Sequence, residues 1–380
     1  MKPGWEIKTL GEVCEVMNGG TPKTGVSANW DGNHLWITPA EMGKRLSPYV
    51  SDTERKLTEF GLRDSSARLL PPNSVILSSR APIGHLVINT EPMATNQGCK
   101  GLIPRSQLYF KFLYYYLLSI VDLLNSLGTG ATFKELSGGK LKEVEIPISP
   151  LTEQQRIVAI LDEALEGIAI AKANAENNLK NARGLFDSYL SSVFFQRGEG
   201  WVERTLDEIS LNLDSKRIPI TKSDRTSGEY PYYGASGIVD YVADYIFEGN
   251  TLLVSEDGAN LLARSTPIAF SVSGQYWVNN HAHILKFKNI ATQRFVEFYL
   301  ESIKLDEYIT GAAQPKLNQK ALNSIPIPIP NSVGVQTKVV ESIMTRSTET
   351  QRLESIYRKK IAALDALKKS ILHKAFSGEL

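Results

Sequence analysis

The sequence predicts an α+β fold built twice. Each globular module is followed by a long helix, and the two helices pair antiparallel as a coiled coil about a pseudo-twofold axis. Three observations carry this expectation. The chain repeats itself; short β-like runs in each copy are separated by glycine, proline and asparagine; and each copy ends in a long stretch with apolar residues three and four apart.

The repeat can be read directly. Gly4-Trp5-Glu6-Ile7-Lys8-Thr9-Leu10 returns as Gly200-Trp201-Val202-Glu203-Arg204-Thr205-Leu206, an offset of 196. Residues 112–117 are echoed by 295–300 at 183, Ile146-Pro147-Ile148 by Ile327-Pro328-Ile329 at 181, and 154–194 by 336–376 at a constant 182. An offset that drifts and then locks marks a loop-bearing module followed by a helix that tolerates no insertion. A period near 190 residues is too long for a solenoid, so this is a duplicated domain pair.

The first module is expected over 1–149, with strands at Leu35-Trp36-Ile37, Ser74-Val75-Ile76-Leu77 and His85-Leu86-Val87-Ile88 and a helix near 110–124. The second spans 199–330, with strands at Thr251-Leu252-Leu253-Val254 and His283-Ile284-Leu285-Lys286-Phe287 and a helix near 292–309. Each module exits through an apolar, proline-containing strand, 144–147 and 325–330, where proline suits an edge. Helical regions follow at 150–198 and 331–380. Thr152-Glu153-Gln154-Gln155 has the pattern of a capping box at the start of the first. Ile157, Leu161, Ile168, Leu179, Phe186 and Tyr189 form its seam, and the equivalent Val339, Ile343, Leu353, Ile361, Leu364 and Ile371 form the second. Arg346, Thr350 and Lys368 break that second stripe. Each helix of about 43 residues is roughly 65 Å long, too long for a module of ~130 residues to cover, so the helices should pack on each other. Symmetry then places the end of the chain near Gly4-Trp5.

Composition narrows the class. With 380 residues, 42% hydrophobic and 22% charged, the chain reads as a globular protein of two or three domains. Cys14 and Cys99 are the only cysteines and form no CxxC pair, which favours a reducing cytoplasm. The N-terminus lacks the apolar core of a signal peptide, and the apolar run 108–127 is broken by Lys111 and Asp122, as in a core helix rather than a membrane span. A net charge of +1 gives no bulk attraction to nucleic acid, so any such site must be local.

Catalytic signatures are missing. There is no Asn-Pro-Pro-aromatic motif of an amino-methyltransferase. Gly138-Gly139-Lys140 runs into Leu141, which lacks the hydroxyl a P-loop needs for magnesium, and Gly128-Thr129-Gly130 is too short for a cofactor loop. His281 and His283 would share one face of a strand, but without a third nearby ligand no metal site is expected. No nucleophile triad or nuclease carboxylate cluster is present. The chain reads as a non-catalytic protein.

Polar loops at equivalent places are the positive signal. Leu77-Ser78-Ser79-Arg80 and Val254-Ser255-Glu256-Asp257 leave a β run at an offset of 177, with Arg80 at one tip and Asp257 at the other. Asn96-Gln97 corresponds to Asn279-Asn280-His281. Arginine pairs with guanine, Asn and Gln with adenine, and carboxylates accept from cytosine, so a shared scaffold with different tips would suit two half-site readers. On residue type alone, ordinary solvated turns are the simpler reading.

Over essentially its whole length the chain resembles the specificity subunits of type I restriction-modification systems. The resemblance rests on Gly19-Gly20-Thr21-Pro22, Trp36-Ile37-Thr38-Pro39 and Arg80-Ala81-Pro82-Ile83-Gly84 in the first module. In the second it rests on Pro231-Tyr232-Tyr233-Gly234-Ala235-Ser236-Gly237-Ile238, 255–260 and 277–283. Glu153-Gln154-Gln155-Arg156 and the closing Ala375-Phe376-Ser377-Gly378-Glu379-Leu380 add to it, whereas Val335-Gln336 departs from the usual Glu-Gln. The resemblance implies that each module reads one half of a bipartite, asymmetric site in double-stranded DNA. The helices would set the gap and dock two methyltransferase subunits, with two restriction subunits completing the complex. S-adenosylmethionine, ATP and magnesium would be bound by those partners and none by this chain. The implied DNA-contact residues are Thr21, Lys23, Thr38, Ser79, Arg80, Asn96, Gln97, Lys100, Thr129 and Lys134 in the first module. In the second they are Tyr232, Tyr233, Ser255, Asp257, Asn260, Arg264, Asn279, Asn280, His281, Gln314 and Lys316.

Overall fold

The computed structural model of the chain describes residues 3–80, 82–130, 134–311 and 313–380; Ala81 of the Arg80–Gly84 motif lies outside them. The chain divides into two compact units, Met1–Asn174 with Lys360–Leu380, and Ala175–Lys359.

In the first unit, entry and exit of the module are hydrogen-bonded side by side. Glu6–Thr9 pairs antiparallel with Glu145–Ile148, Glu6 opposite Ile148. Such a two-stranded ribbon has only edges, where Pro147 costs little. A five-stranded sheet follows in the order Cys14–Asn18, Cys99–Pro104, Val75–Ser79, Ile83–Asn89, Tyr49–Val50. Its neighbours run antiparallel except the last pair. Strand residues alternate faces, and Val75-Ile76-Leu77 is apolar throughout because both faces are covered. Val75 and Leu77 pack with Phe112, Leu113 and Leu117, while Ile76 packs with Ile37, Val87 and Met93. The expected helix over 110–124 is broken: Phe110–Ser119 and Val121–Leu127 meet at Ile120, whose φ of −110° and ψ of 18° leave the helical range. A smaller sheet joins Trp30–Ile37 to Arg55–Leu57 (antiparallel) and to Met93–Thr95 (parallel).

The second unit repeats this plan. Trp201–Thr205 pairs antiparallel with Pro326–Pro330. A four-stranded sheet runs Ser210–Asn212, Ala282–Phe287, Thr251–Ser255, Ala269–Val272, all antiparallel. Ser227–Gly234 pairs antiparallel with Gly237–Val242 and parallel with Gln275–Val278, matching the smaller sheet of the first unit. The helix expected over 292–309 stops at Ser302, because Ile303 is extended; a single turn, Asp306–Tyr308, follows.

The long helices run Leu151–Phe195 and Val333–Ser377. The capping box expected at Thr152 does not form there, since the helix already begins at Leu151. Gln154 organises this start instead. Its buried side chain donates to Ser149 O (2.7 Å) and Gln107 O (2.9 Å) and accepts from Tyr109 N (2.8 Å). Gln336 does the equivalent work, donating to Pro330 O (2.7 Å) and accepting from Thr292 Oγ1 (2.6 Å). Val335 in place of glutamate therefore leaves the second start intact. The carboxylate-to-amide half of a capping box does occur at the short helices Leu10–Val13 and Leu206–Ile209, where Glu12 accepts from Thr9 N and Glu208 from Thr205 N.

In both units the helix segments pack antiparallel. The first unit pairs Lys172 with Asp365 (2.7 Å) and Arg156 with Leu380 O (2.7 Å). The second pairs Arg183 with both oxygens of Glu354 (2.9 and 3.1 Å) and Tyr189 Oη with Ser342 Oγ (2.6 Å). Ile157, Leu161, Ile168 and Ile343 are buried, and Leu179, Phe186, Tyr189, Val339, Leu353, Ile361, Leu364 and Ile371 are partly buried. Of the three misfits of the stripe, Arg346 and Lys368 are exposed and Thr350 is partly buried, and the Arg346 guanidinium stacks 5.2 Å over Tyr189. Phe376 packs edge-on against Phe112 (5.0 Å) and Tyr116 (5.2 Å), in the same core as Trp5, as the repeat predicted. Its counterpart Phe194 packs against Phe295 and Tyr299, both at 5.3 Å.

Candidate nucleic-acid interface

The first module's polar cluster is built on a glycine pair. A Cβ on Gly19 would lie 1.9 Å from Asn96 O, and one on Gly20 2.3 Å from Ala67 N, so only glycine allows this approach. It brings Thr21 against the turn after Met93–Thr95. Asn96 donates to Thr21 Oγ1 (3.1 Å) and accepts from Gly98 N (2.7 Å), and the Thr21 hydroxyl bonds Gln97. Ser79 N donates to Gly98 O (2.7 Å), and Ser79 O accepts from Leu136 N (2.8 Å). Thr129 and Glu135 exchange backbone hydrogen bonds, and on its other side Glu135 is bridged to Arg80. Arg80 Nη1 and Lys100 Nζ each stand 3.9 Å from the Glu135 carboxylate. Burial pulls the Lys100 amine below its usual range, partly countered by Glu135.

The second module carries the same frame. Asn279 accepts from His281 N (2.8 Å), Glu256 N donates to His281 O (2.9 Å), and Glu256 O accepts from Leu317 N (2.8 Å). Thr310 and Lys316 exchange backbone bonds, and on its other side Lys316 is bridged to Asp257, where Gly258 N also donates to Pro315 O (3.0 Å). The Asp257 carboxylate meets His281 Nδ1 at 2.9 Å, and Lys316 Nζ meets Glu256 at 3.2 Å. Beneath lies a charge network: Arg217 bonds Glu256 (2.6 Å), and His283 bonds Asp214 (2.5 Å) and Leu317 O (2.7 Å). Burial opposes ionisation of Asp214 and Glu256. For Asp214 the bond from His283, helped by the Ile284 amide and Arg217, outweighs it; for Glu256 the bonds from Arg217 and Lys316 and the charge of His283 do. Both carboxyls are held below their usual range.

This geometry revises the expected metal reading. His281 sits in the turn before Ala282–Phe287 and is exposed, whereas His283 is buried in the strand, so the two do not form a pair. His283, Asp214 and Glu256 bring ligand-type atoms within 4.8 Å of one another. Arg217 pairs with both Glu256 (2.6 Å) and Asp214 (3.6 Å), and Lys316 with Glu256, which ties the cluster into an ion network.

Several expected contact residues are buried or hydrogen-bonded within their own module. Ser79, Lys100, Tyr232, Ser255 and Asn279 are buried. The Tyr232 hydroxyl accepts from Ile220 N (3.1 Å), and Ser255 donates to Ala235 O. Tyr233 is partly buried against Phe270 and Tyr276. Thr38 caps the helix Pro39–Met42 by accepting from Glu41 N (3.2 Å). Asn260 closes its own turn onto Ser265 and Thr266. Arg264 donates to Leu300 O (3.2 Å) and Ile303 O (2.8 Å) at the end of Ile290–Ser302. Lys23, Gln97, Thr129, Lys134, Asn280, His281, Gln314 and Lys316 are exposed, and Arg80 and Asp257 stand between. Sequence reasoning passed over Glu135, Glu256, Asp214 and Arg217. The signal for Glu135 was present, because Thr129-Gly130 and Glu135-Leu136 recur 181 residues on as Thr310-Gly311 and Lys316-Leu317.

The family described as type I restriction modification DNA specificity domain matches residues 2–181 and 198–361. The chain belongs to that family. It is 29% identical over 323 residues to the specificity subunit of a type I restriction enzyme of Methanocaldococcus jannaschii, covering 80% of this chain and 73% of that one. A specificity subunit described as putative, from Haemophilus influenzae, is 38% identical over 138 residues, 36% of this chain and 35% of that one. A solved structure described as the basis of complex assembly and conformational transition in a type I restriction-modification system covers 100% of this chain and 99% of that one. Its TM-score of 0.81 at 18% identity speaks for the shared fold. Among the described residues no helix is long and apolar enough to cross a membrane.

Proposed function

We propose that each module reads one half of a bipartite DNA site and that the chain itself performs no chemistry. The observation that carries this is one backbone frame, used twice, with different side chains at its tip. Ser79 O and Glu256 O hold the same amide of a covering segment, yet the next residue is Arg80 in one module and Asp257 in the other. Arginine suits the acceptor edge of guanine and a carboxylate the amino group of cytosine, so the two frames select different bases. Exposed Lys23 and Lys134 suit contact with phosphates, which position a protein without conveying sequence.

On this reading the chain works in a complex. Two methyltransferase subunits dock on the helices and supply S-adenosylmethionine and the catalytic residues, and two restriction subunits supply ATP- and magnesium-dependent cleavage. Partners that share the phosphate contacts account for a net charge of only +1. The test is methyl transfer to duplex DNA. The purified chain alone should transfer none, and adding its methyltransferase subunit should produce adenine methylation at a bipartite site. Methyl transfer by the pure chain would overturn the proposal.

A further inference from the structure

Across one backbone bridge, each module sets a charge at the tip of its central strand against the opposite charge on the covering segment. The signs are exchanged between modules: Arg80 is bridged to Glu135, and Asp257 to Lys316. We propose, resting on the DNA-reading function above, that Glu135 and Lys316 are specificity-setting counter-ions. Each restrains the charge beside the reading position, so that a matching base edge, and not the phosphate backbone alone, draws it out.

The geometry supports a partner that can be exchanged. At 3.9 Å the Arg80–Glu135 pair lies beyond hydrogen-bond length, so the guanidinium is attracted without being tied. Both side chains are more than a third exposed, which leaves room for the exchange. The same carboxylate faces the nearly buried Lys100, also at 3.9 Å, so one anion sits between two cations. Without it, Arg80 would face DNA as an unopposed cation with the buried Lys100 charge behind it, and phosphate would be the strongest anion in reach. The second module is the mirror case. Lys316 Nζ lies 3.2 Å from Glu256, while its backbone is bridged to Asp257, whose own carboxylate meets His281; loss of the amine leaves Glu256 to Arg217 and removes a cation from beside Asp257. The sign exchange therefore makes removal of the two counter-ions act in opposite directions on backbone binding. In both cases the loss of discrimination stays within the module's own half-site.

The test uses the full chain with its methyltransferase subunit. Binding is measured on cognate duplex, on duplexes mismatched in one half-site, and on random duplex, between about 50 and about 200 mM salt. Glu135→Gln should strengthen random-duplex binding and steepen the salt slope by about 0.9, an extra three- to fourfold gain at the low-salt end. It should also lose discrimination only in the first module's half-site, and Glu135→Asp should restore it. Lys316→Gln should weaken random-duplex binding and lose discrimination only in the second half-site. A purely structural or bulk-charge role would scale all duplexes together. The inference is overturned if the two variants shift random binding in the same direction, or if the mismatch ratios stay at wild-type values. Lys316 is exposed, so Lys316→Gln decides the matter by itself if Glu135→Gln fails to fold. A wild-type complex that binds cognate and random duplex equally would instead remove the DNA-reading function itself.

Discussion

On the proposed function, Arg80 is the residue that tests the first module most directly. If its guanidinium makes a bidentate contact to a base, Arg80→Ala should reduce discrimination of that half-site by about 1–3 kcal/mol. Equal loss on cognate and random duplex would reassign it to phosphate contact or to holding the turn. At Asp214 the expected outcome concerns pH. Its folded-state value is depressed below the ordinary 3.8 by His283, the Ile284 amide and Arg217 acting against burial. A depressed carboxyl stabilises the fold above its unfolded value and loses that contribution as pH falls through the folded one. The second module should therefore become acid-labile below about pH 4. Asp214→Asn should flatten that limb while lowering stability at neutral pH, because His283 and Arg217 lose a charged partner; thermal melts across pH would show both. An unchanged acid limb would mean that another carboxyl controls it. At this scale the sequence was only partly legible. Arg80 and Asp257 could be singled out because the duplication aligned them. Tyr232 and Ser255 look like contact residues in a motif, yet they are buried by hydrogen bonds to Ile220 and Ala235, which no local pattern encodes.

Among the elements, the long helices were the most readable, because an apolar stripe at fixed spacing depends on local periodicity alone. Their starts were less so. Thr152 matched a capping pattern, but the helix begins one residue earlier and Gln154 fixes it through contacts with residues 107 and 109, which are distant in sequence. Leu161 and Ile343 are fully buried. Truncating either to alanine should cost about 2–5 kcal/mol, whereas Arg346→Ala, on an exposed position, should cost under about 1 kcal/mol. Equal costs in denaturant melts would refute the seam. Removing seven residues from both helices keeps the stripe in phase and shortens each by about 10 Å, roughly three base pairs of duplex. It also turns one half-site by about 100° around the DNA, so activity should weaken. Whatever methylation survives should select a shorter gap with both half-sites unchanged. Retention of the original gap by a folded, doubly shortened variant would show that the helices do not measure it.

For the whole molecule the duplication is the organising fact, and it was legible because 154–194 and 336–376 match without a gap. The division into units was less visible. Each unit joins a module to segments of both helices, because Phe376 completes the core around Phe112 and Phe194 the core around Phe295. Two modules on one plan with different tips should act as separable readers. The most direct measurement is the adenine methylome of cells that express this chain with its methyltransferase subunit, before and after residues 200–330 are exchanged for the module of another specificity subunit. Two defined half-sites separated by a fixed gap are expected, with the exchange rewriting one half and leaving the other intact. A motif in which both halves change together, or neither does, would contradict the assignment of one half-site to each module.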